Sequence, residues 1–306
     1  MRVKLLGTAA GGAFPQWNCA CKNCRSLREG SFHGKSRSQL QVAISPDGTN
    51  WVLLNASPDI RTQIEAHPAL HPRAGIRSTP ILAIVLTTAD LDQILGLLQL
   101  REFQKFQIYA TRGLQLVIRD DNSMFAALNR TPGQVSWINT TPSEAFSLPF
   151  NGKTSICCTP VSVGQHFPSY VSAQRRKSIP GDELLLGLMI KSSSGRCLAY
   201  FPSVPAIDAA LQQNLAGADV VLFDGTFWSD EELCRIRGTG ETSLAMGHVP
   251  IWGPGGSIER LSSLKARKIY VHINNTNPML DESGPEYGQA HQAGWEIAED
   301  GWEFEL

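Results

Sequence analysis

The chain predicts an α/β protein, one domain over residues 1–306 built from two sheet-and-helix halves of similar order. Three observations carry this expectation. Residues 81–86 are a continuous apolar run, the pattern of a strand covered on both faces, 219–223 read as another buried strand, and 268–273 as a further strand. Each run ends in a polar loop: Thr87-Thr-Ala-Asp, Asp224-Gly-Thr and His272-Ile-Asn-Asn. In both halves hairpin strands precede a helix and a buried strand, and no low-complexity linker separates the halves.

In chain order, residues 3–6 form a short apolar strand that delivers a glycine-rich loop. Residues 39–45 and 50–55 flank Pro46-Asp-Gly-Thr, and Asp-Gly is a strong tight-turn signal, so they read as a hairpin. Ser57-Pro-Asp59 starts a helix that packs through Ile60, Ile64 and Ala66 until Pro68 stops it. The strand at 81–86 leads into a helix packed through Ile94, Leu97, Leu98 and Leu100. Residues 106–110 and 113–119 are the next strand and helix, and Trp137 falls on a short strand. The second half opens with a strand at 155–163, ending in Gly164-Gln-His-Phe-Pro-Ser169. A hairpin follows at 184–191 and 196–201, then a helix at 207–215, a turn and helix at 253–264, and an edge strand at 302–306.

Lys and Arg total 27 against 28 Asp and Glu, which removes any electrostatic case for nucleic acid or an anionic membrane surface. A small molecule is the expected partner. No apolar run approaches the roughly 20 residues that span a bilayer, and no secretory signal opens the sequence, so a cytoplasmic protein without membrane insertion is expected.

The most informative stretch is Cys19-Ala-Cys-Lys-Asn-Cys24. A buried core run would not carry Lys22 and Asn23, so three thiols in six residues read as ligands for a soft tetrahedral cation. Cys19, Cys21 and Cys24 are assigned to a structural zinc that needs a fourth ligand from elsewhere. Free surface thiols and a redox pair are the alternatives. Cys157, Cys158, Cys197 and Cys234 sit in apolar surroundings and read as small core residues.

At strand ends stand Asp90, Asp92 and Gln93, then His166, Asp224, His248 and His272. Any single one would be a cap or a solvated turn residue. Together they supply the carboxylates and imidazoles that divalent first-row metals take. Asn274, Asn275, Thr276 and Asn277 form a polar loop suited to hydrogen-bonding a carboxylated ligand or orienting a metal shell.

Taken together, residues 7–24, Asn55-Ala-Ser-Pro-Asp-Ile-Arg61, Asp224-Gly-Thr, Met246-Gly-His248 and His272-Ile-Asn-Asn-Thr-Asn-Pro278 resemble the coenzyme PQQ synthesis protein B family. That family sits in the metallo-β-lactamase fold superfamily. The resemblance implies a four-layer αββα sandwich, two mixed sheets face to face with helices outside. It also implies His248 as the fourth zinc ligand. The superfamily's H-x-H-x-D-H motif falls on Thr88-Ala-Asp-Leu-Asp-Gln93, so both leading histidines are absent and Asp92 is kept. The family's pattern has Asp-His where this chain has Asp92-Gln93, and an amide oxygen is a weaker ligand than imidazole. His166 and His272 match the superfamily's later histidines, and Asp224 lies near the place of a bridging or supporting carboxylate. Asp92 and His272 are the expected ligands of an active-site metal, with Asp90 beside them.

The function the resemblance implies is biosynthesis of pyrroloquinoline quinone (PQQ). One reading is an iron-dependent oxygenase, with Fe(II) in the active site, that hydroxylates the tyrosine ring of a Glu-Tyr-derived precursor. The other is a non-catalytic carrier of PQQ or its precursor towards the periplasm. Hydrolysis, common in the superfamily, ranks last because the imidazoles that build a two-metal site are missing. A homodimer or other PQQ pathway proteins are the expected macromolecular partners.

Overall fold

The computed structural model describes residues 1–150, 155–238 and 240–306. Its strands are β1 (Arg2–Gly7), β2 (Gln41–Ser45), β3 (Trp51–Leu54), β4 (Ile81–Val85), β5 (Phe106–Thr111), β6 (Val135–Thr140), β7 (Phe146–Ser147), β8 (Ile156–Gly164), β9 (Leu185–Ser192), β10 (Cys197–Phe201), β11 (Val220–Asp224), β12 (Arg267–Val271), β13 (Trp295–Ile297) and β14 (Glu303–Glu305). The helices are α1 (Lys22–Arg28), α2 (Ile60–Ala66), α3 (Leu91–Ile94), α4 (Arg112–Gln115), α5 (Ala173–Ser178), α6 (Ala209–Ala216), α7 (Glu232–Arg237), α8 (Ser257–Arg260) and α9 (Pro285–Gln292). They fall into two compact units.

The first unit holds Met1–Leu6, Gln41–Arg196 and Gly301–Leu306. One sheet runs β14-β1-β2-β3-β4-β5-β6. The chain ends pair antiparallel, Arg2 opposite Glu305, and β2 and β3 form the expected hairpin with Val42 opposite Leu54. Its turn forms where the sequence puts it because Ser45 Oγ accepts the Gly48 N–H at 2.7 Å, Asp47 Oδ1 accepts the Thr49 N–H at 2.8 Å, and Gly48 takes φ +80°. From β3 to β6 the strands are parallel, and their apolar residues meet Ile94 and Leu97 in one core. Strands β7, β8 and β9 pair antiparallel, Cys158 standing opposite Ile190.

The second unit holds Gly7–Leu40 and Cys197–Asp300. Four parallel strands run in the order β13-β12-β11-β10, with Leu222 beside Tyr200 and Ile269. The loop after β1 is stitched to the end of β12, since the Ala10 N–H donates to the Ile273 carbonyl at 2.9 Å. Arg37 is buried against Thr8, and Asp300 accepts from Thr8 Oγ1 at 2.7 Å and from both the amide and the hydroxyl of Ser38.

Several expectations need correcting. On α2 the buried polar side chain is Gln63, while Ala66 is exposed, because at about 100° per residue Gln63 and Ile64 lie within about 60° of Ile60 and Ala66 falls about 120° away. The helix expected over 253–264 is the single turn α8, preceded by Gly253, Gly255 and Gly256. The helix at 113–119 is α4 continued as a wider π-type turn. Cys158 and Cys197 are core residues, but Cys157 and Cys234 are only half-buried. Among the described residues no helix is long and apolar enough to cross a membrane.

Gly96 shows how tightly the helix after β4 is seated. A Cβ there would lie 2.1 Å from the Ser57 carbonyl oxygen and 2.8 Å from that of Ala56, both backbone atoms. Gly96→Ala is therefore expected to destabilise the fold by about 1–3 kcal/mol, read from the urea midpoint. An unchanged midpoint would show that the turn can shift without loss.

Candidate functional site

Two imidazoles of the second unit, those of His248 and His272, are set by one buried carboxylate. Asp224 ends β11 and is fully buried. Its Oδ2 accepts the Val204 N–H at 2.8 Å and faces His248 Nδ1 at 2.8 Å. Its Oδ1 accepts the Thr226 N–H at 3.0 Å and the Thr226 hydroxyl at 2.6 Å. That hydroxyl, its proton given to Asp224, lies 2.8 Å from His272 Nδ1 and 3.1 Å from His248 Nδ1. The network places a proton on Nδ1 of each ring, so Nε2 on the opposite edge is the nitrogen offered to a metal or substrate. Burial opposes ionisation of Asp224, yet the His248 ring and these hydrogen bonds hold its carboxyl below the ordinary value. With four donors on its two oxygens, Asp224 orients the imidazoles rather than meeting a metal itself.

The two rings stack with centroids 5.3 Å apart, and Phe227 meets His248 edge-on. His272, just past β12, adopts φ +57°, a left-handed conformation that L side chains resist. The Thr226 bond holds it there.

The cysteines gather as the spacing predicts, with the Sγ atoms of Cys19, Cys21 and Cys24 all within 4.8 Å of one another. His248 does not join them; it belongs to the Asp224 and His272 group. Asn275 stands in its stead, its side-chain amide nitrogen 3.2, 3.7 and 3.3 Å from the three sulfurs. The physical reason is chain geometry: His248 is already drawn to Asp224, whereas Asn275 is carried directly to the sulfurs by the loop after β12. Asn23, expected to be solvated, is buried and donates to the carbonyls of Asn275 and Asn277 at 3.2 and 3.0 Å, locking α1 onto that loop. The donor set fits zinc, since three thiols converge on one polar side chain whose amide, turned over, presents an oxygen. Burial opposes ionisation of Cys19, but the Cys21 N–H, the neighbouring thiols and Asn275 lower its pKa.

The polar loop divides by role. Asn277 is fully buried and bonds the backbone of Gly225, Thr226 and Met279, so it shapes the loop and faces no ligand. Asn274 donates to Thr276 Oγ1 at 2.5 Å, and Thr276 donates to Glu232 Oε1 at 2.6 Å. Glu232 also accepts the Trp228 N–H at 2.6 Å, and burial pushes its carboxyl up to about 7. Asn274, Asn275 and Thr276 line one cavity with Cys19 and Cys21.

In the first unit, Asp90 Oδ1 lies 3.3 Å from His166 Nε2, and Thr88 Oγ1 donates to Asp90 Oδ2 at 2.7 Å. The bond to Asp90 raises the pKa of His166, with burial working against it. The Tyr170 hydroxyl donates to the Ala89 carbonyl. Gln93 is buried and spent: its Oε1 accepts from Asn55 Nδ2 at 2.8 Å, and its Nε2 donates to Asp92 Oδ2 at 3.1 Å. It therefore steadies Asp92. Asn55, at φ +64°, also grips Thr87 through its N–H at 2.8 Å and its hydroxyl. Asn55, Thr226 and Glu232 were missed as site residues. Only Asn55-Ala-Ser-Pro-Asp and Asp224-Gly-Thr pointed near two of them, and nothing local marks Glu232.

Two outcomes test this geometry. Cys24→Ala should abolish zinc retention through dialysis, while His248→Ala should keep zinc at the parent level; zinc loss in His248→Ala would return the fourth ligand to that ring. For Glu232, the folded carboxyl holds its proton to about pH 7 against a reference of 4.5. Between those values the unfolded chain binds fewer protons, so stability from this group falls as pH rises. Urea midpoints across that window should fall in the parent relative to Glu232→Gln, and parallel profiles would refute the raised value.

A β-lactamase superfamily domain model matches residues 50–273. Coenzyme PQQ synthesis protein B of Azotobacter vinelandii is 40% identical over 307 residues and that of Pseudomonas protegens 41% over 309, each covering 100% of both chains. The crystal structure of Zn(2+)-bound PqqB from Methylobacterium extorquens superposes with TM-score 0.92 at 40% identity over 100% of both chains. A metallo-β-lactamase fold protein of Bacillus subtilis, 12% identical with TM-score 0.61 over 100% of this chain and 99% of its own, shares the fold alone. With full-length identity at this level and the metallo-β-lactamase fold in place, the chain belongs to the coenzyme PQQ synthesis protein B family.

Proposed function

We propose that the protein acts in PQQ synthesis as a metal-dependent oxygenase on the tyrosine ring of a Glu-Tyr-derived precursor. The observation that supports this best is the buried Asp224 carboxylate steering two imidazoles through their Nδ1 atoms, the arrangement by which proteins prepare histidines for a metal. Imidazole suits Fe(II), and His248 and His272 would hold it through Nε2. Iron there would supply O2 activation, one oxygen atom entering the ring and the other leaving as water with two electrons from an added reductant. The chain's own part is positional. Thr226 fixes both ring tautomers.

The carrier reading keeps one observation in its favour. Position 93 is glutamine, so the first unit offers no imidazole there, and its amide is hydrogen-bonded to Asn55 and Asp92.

The test is protein loaded with Fe(II), mixed with a Glu-Tyr peptide and ascorbate under air. The oxygenase reading expects a mass gain of one oxygen on the ring, absent in His272→Ala. Thr226→Val should weaken iron binding about 10–100-fold, and Thr226→Ser should restore it. Saturable PQQ binding with no oxygen transfer would overturn the oxygenase in favour of the carrier.

A further inference from the structure

The segment from Thr8 to Cys24 clamps the loop that carries His272. Ile273, the next residue, donates its N–H to the Thr8 carbonyl at 3.0 Å and accepts the Ala10 N–H at 2.9 Å. Farther along the same two stretches, Asn23 bonds the carbonyls of Asn275 and Asn277, and the three cysteine sulfurs close on the Asn275 amide. His272 needs such a grip, because a left-handed backbone at a residue other than glycine costs free energy and persists only where its surroundings impose it. The far end of the clamp is the end that chemistry can open. Cys19 and Cys21 are half-buried and line, with Asn275, a cavity of about 490 Å³, whereas Cys24 is buried. A small neutral oxidant therefore has a path to two of the sulfurs. Asn275 can offer zinc only a carboxamide oxygen, a weaker ligand than imidazole or a fourth thiolate, so the thiolates carry most of the hold.

We propose that the cysteine cluster is a releasable brace for His272: closed by zinc it fixes residues 273–277, and oxidation of Cys19 and Cys21 to a disulfide by a peroxide frees them. One thiolate sulfur displaces hydroxide from the peroxide and becomes a sulfenic acid; the other sulfur displaces hydroxide from it and forms the S–S bond. Two electrons pass from sulfur to oxygen, and two protons from solvent complete two waters. Zinc leaves, since Cys24 and Asn275 are too few to keep it. The sulfurs, which lie within 4.8 Å of one another, must close to about 2 Å to form the bond, and that contraction draws them off Asn275. The loop then keeps only its backbone bonds to Thr8, Ala10 and Thr226 and the Asn23 contacts, and His272 loses part of what imposes its conformation. The brace requires that His272 belong to the site and is indifferent to whether that site hydroxylates or carries.

The experiment treats the zinc-loaded full chain with hydrogen peroxide. It follows zinc with a chromophoric chelator, the thiols by mass mapping after alkylation, and amide hydrogen exchange over residues 272–277. Zinc is expected to leave in step with a Cys19–Cys21 disulfide, with exchange over 272–277 rising at least about tenfold while that of β11 holds. The ring N–H resonance of His272 should shift and that of His248, held directly by Asp224, should stay. A thiol reductant with added zinc should reverse every change. Asn275→His, which offers imidazole as the fourth ligand, should slow zinc release at least about tenfold. Zinc retained under peroxide, or zinc release with unchanged exchange over 272–277, would overturn the brace. So would an equal rise in β11, which marks general unfolding; these outcomes are read in the parent chain whether or not the variant folds.

Discussion

The second unit depends on a single buried charge. Asp224 sits where water cannot reach, and an unpaired carboxylate there would be among the most costly groups a fold can contain. Its four donors come from three places in the sequence: the loop after β10, the turn after β11 and the segment carrying His248. The same requirement that satisfies the charge also brings two imidazoles side by side. Stability and chemistry share one set of bonds here, so a change at Asp224 would act on both.

The polar loop after β12 extends that arrangement outward. His272 turns back to Thr226, Asn275 reaches the cysteines, Thr276 braces Glu232, and Asn277 ties the backbone beneath β11. Four of six consecutive residues thus serve four separate tasks. A loop so committed has little freedom to rearrange when a ligand arrives, which suits a site whose geometry is prepared in advance.

Much of this was legible in the sequence, for identifiable reasons. Buried parallel strands announce themselves as unbroken apolar runs, as at 81–86 and 220–223, and the Asp47-Gly48 turn fixes its hairpin by local chemistry alone. The thiols of Cys19, Cys21 and Cys24 could be grouped because six residues span them. What escaped was long-range. No local rule distinguishes an asparagine that closes a cysteine cluster from a histidine 27 positions earlier, and the family resemblance pointed to His248. Gln93 likewise looked like a weakened ligand, since only the fold reveals that Asn55 and Asp92 consume its amide. Short helices such as α1, α5 and α7 carry too few turns for an apolar stripe to show.

The placement of Gly7–Leu40 within the second unit bears on how the chain emerges from the ribosome. Cys19, Cys21 and Cys24 are made early, but Asn275, which caps them, is made more than 250 residues later. At ordinary translation speeds that interval is roughly 10–50 seconds. During it the nascent thiols lack the native partner that closes their cluster and lie open to oxidants and to adventitious metals.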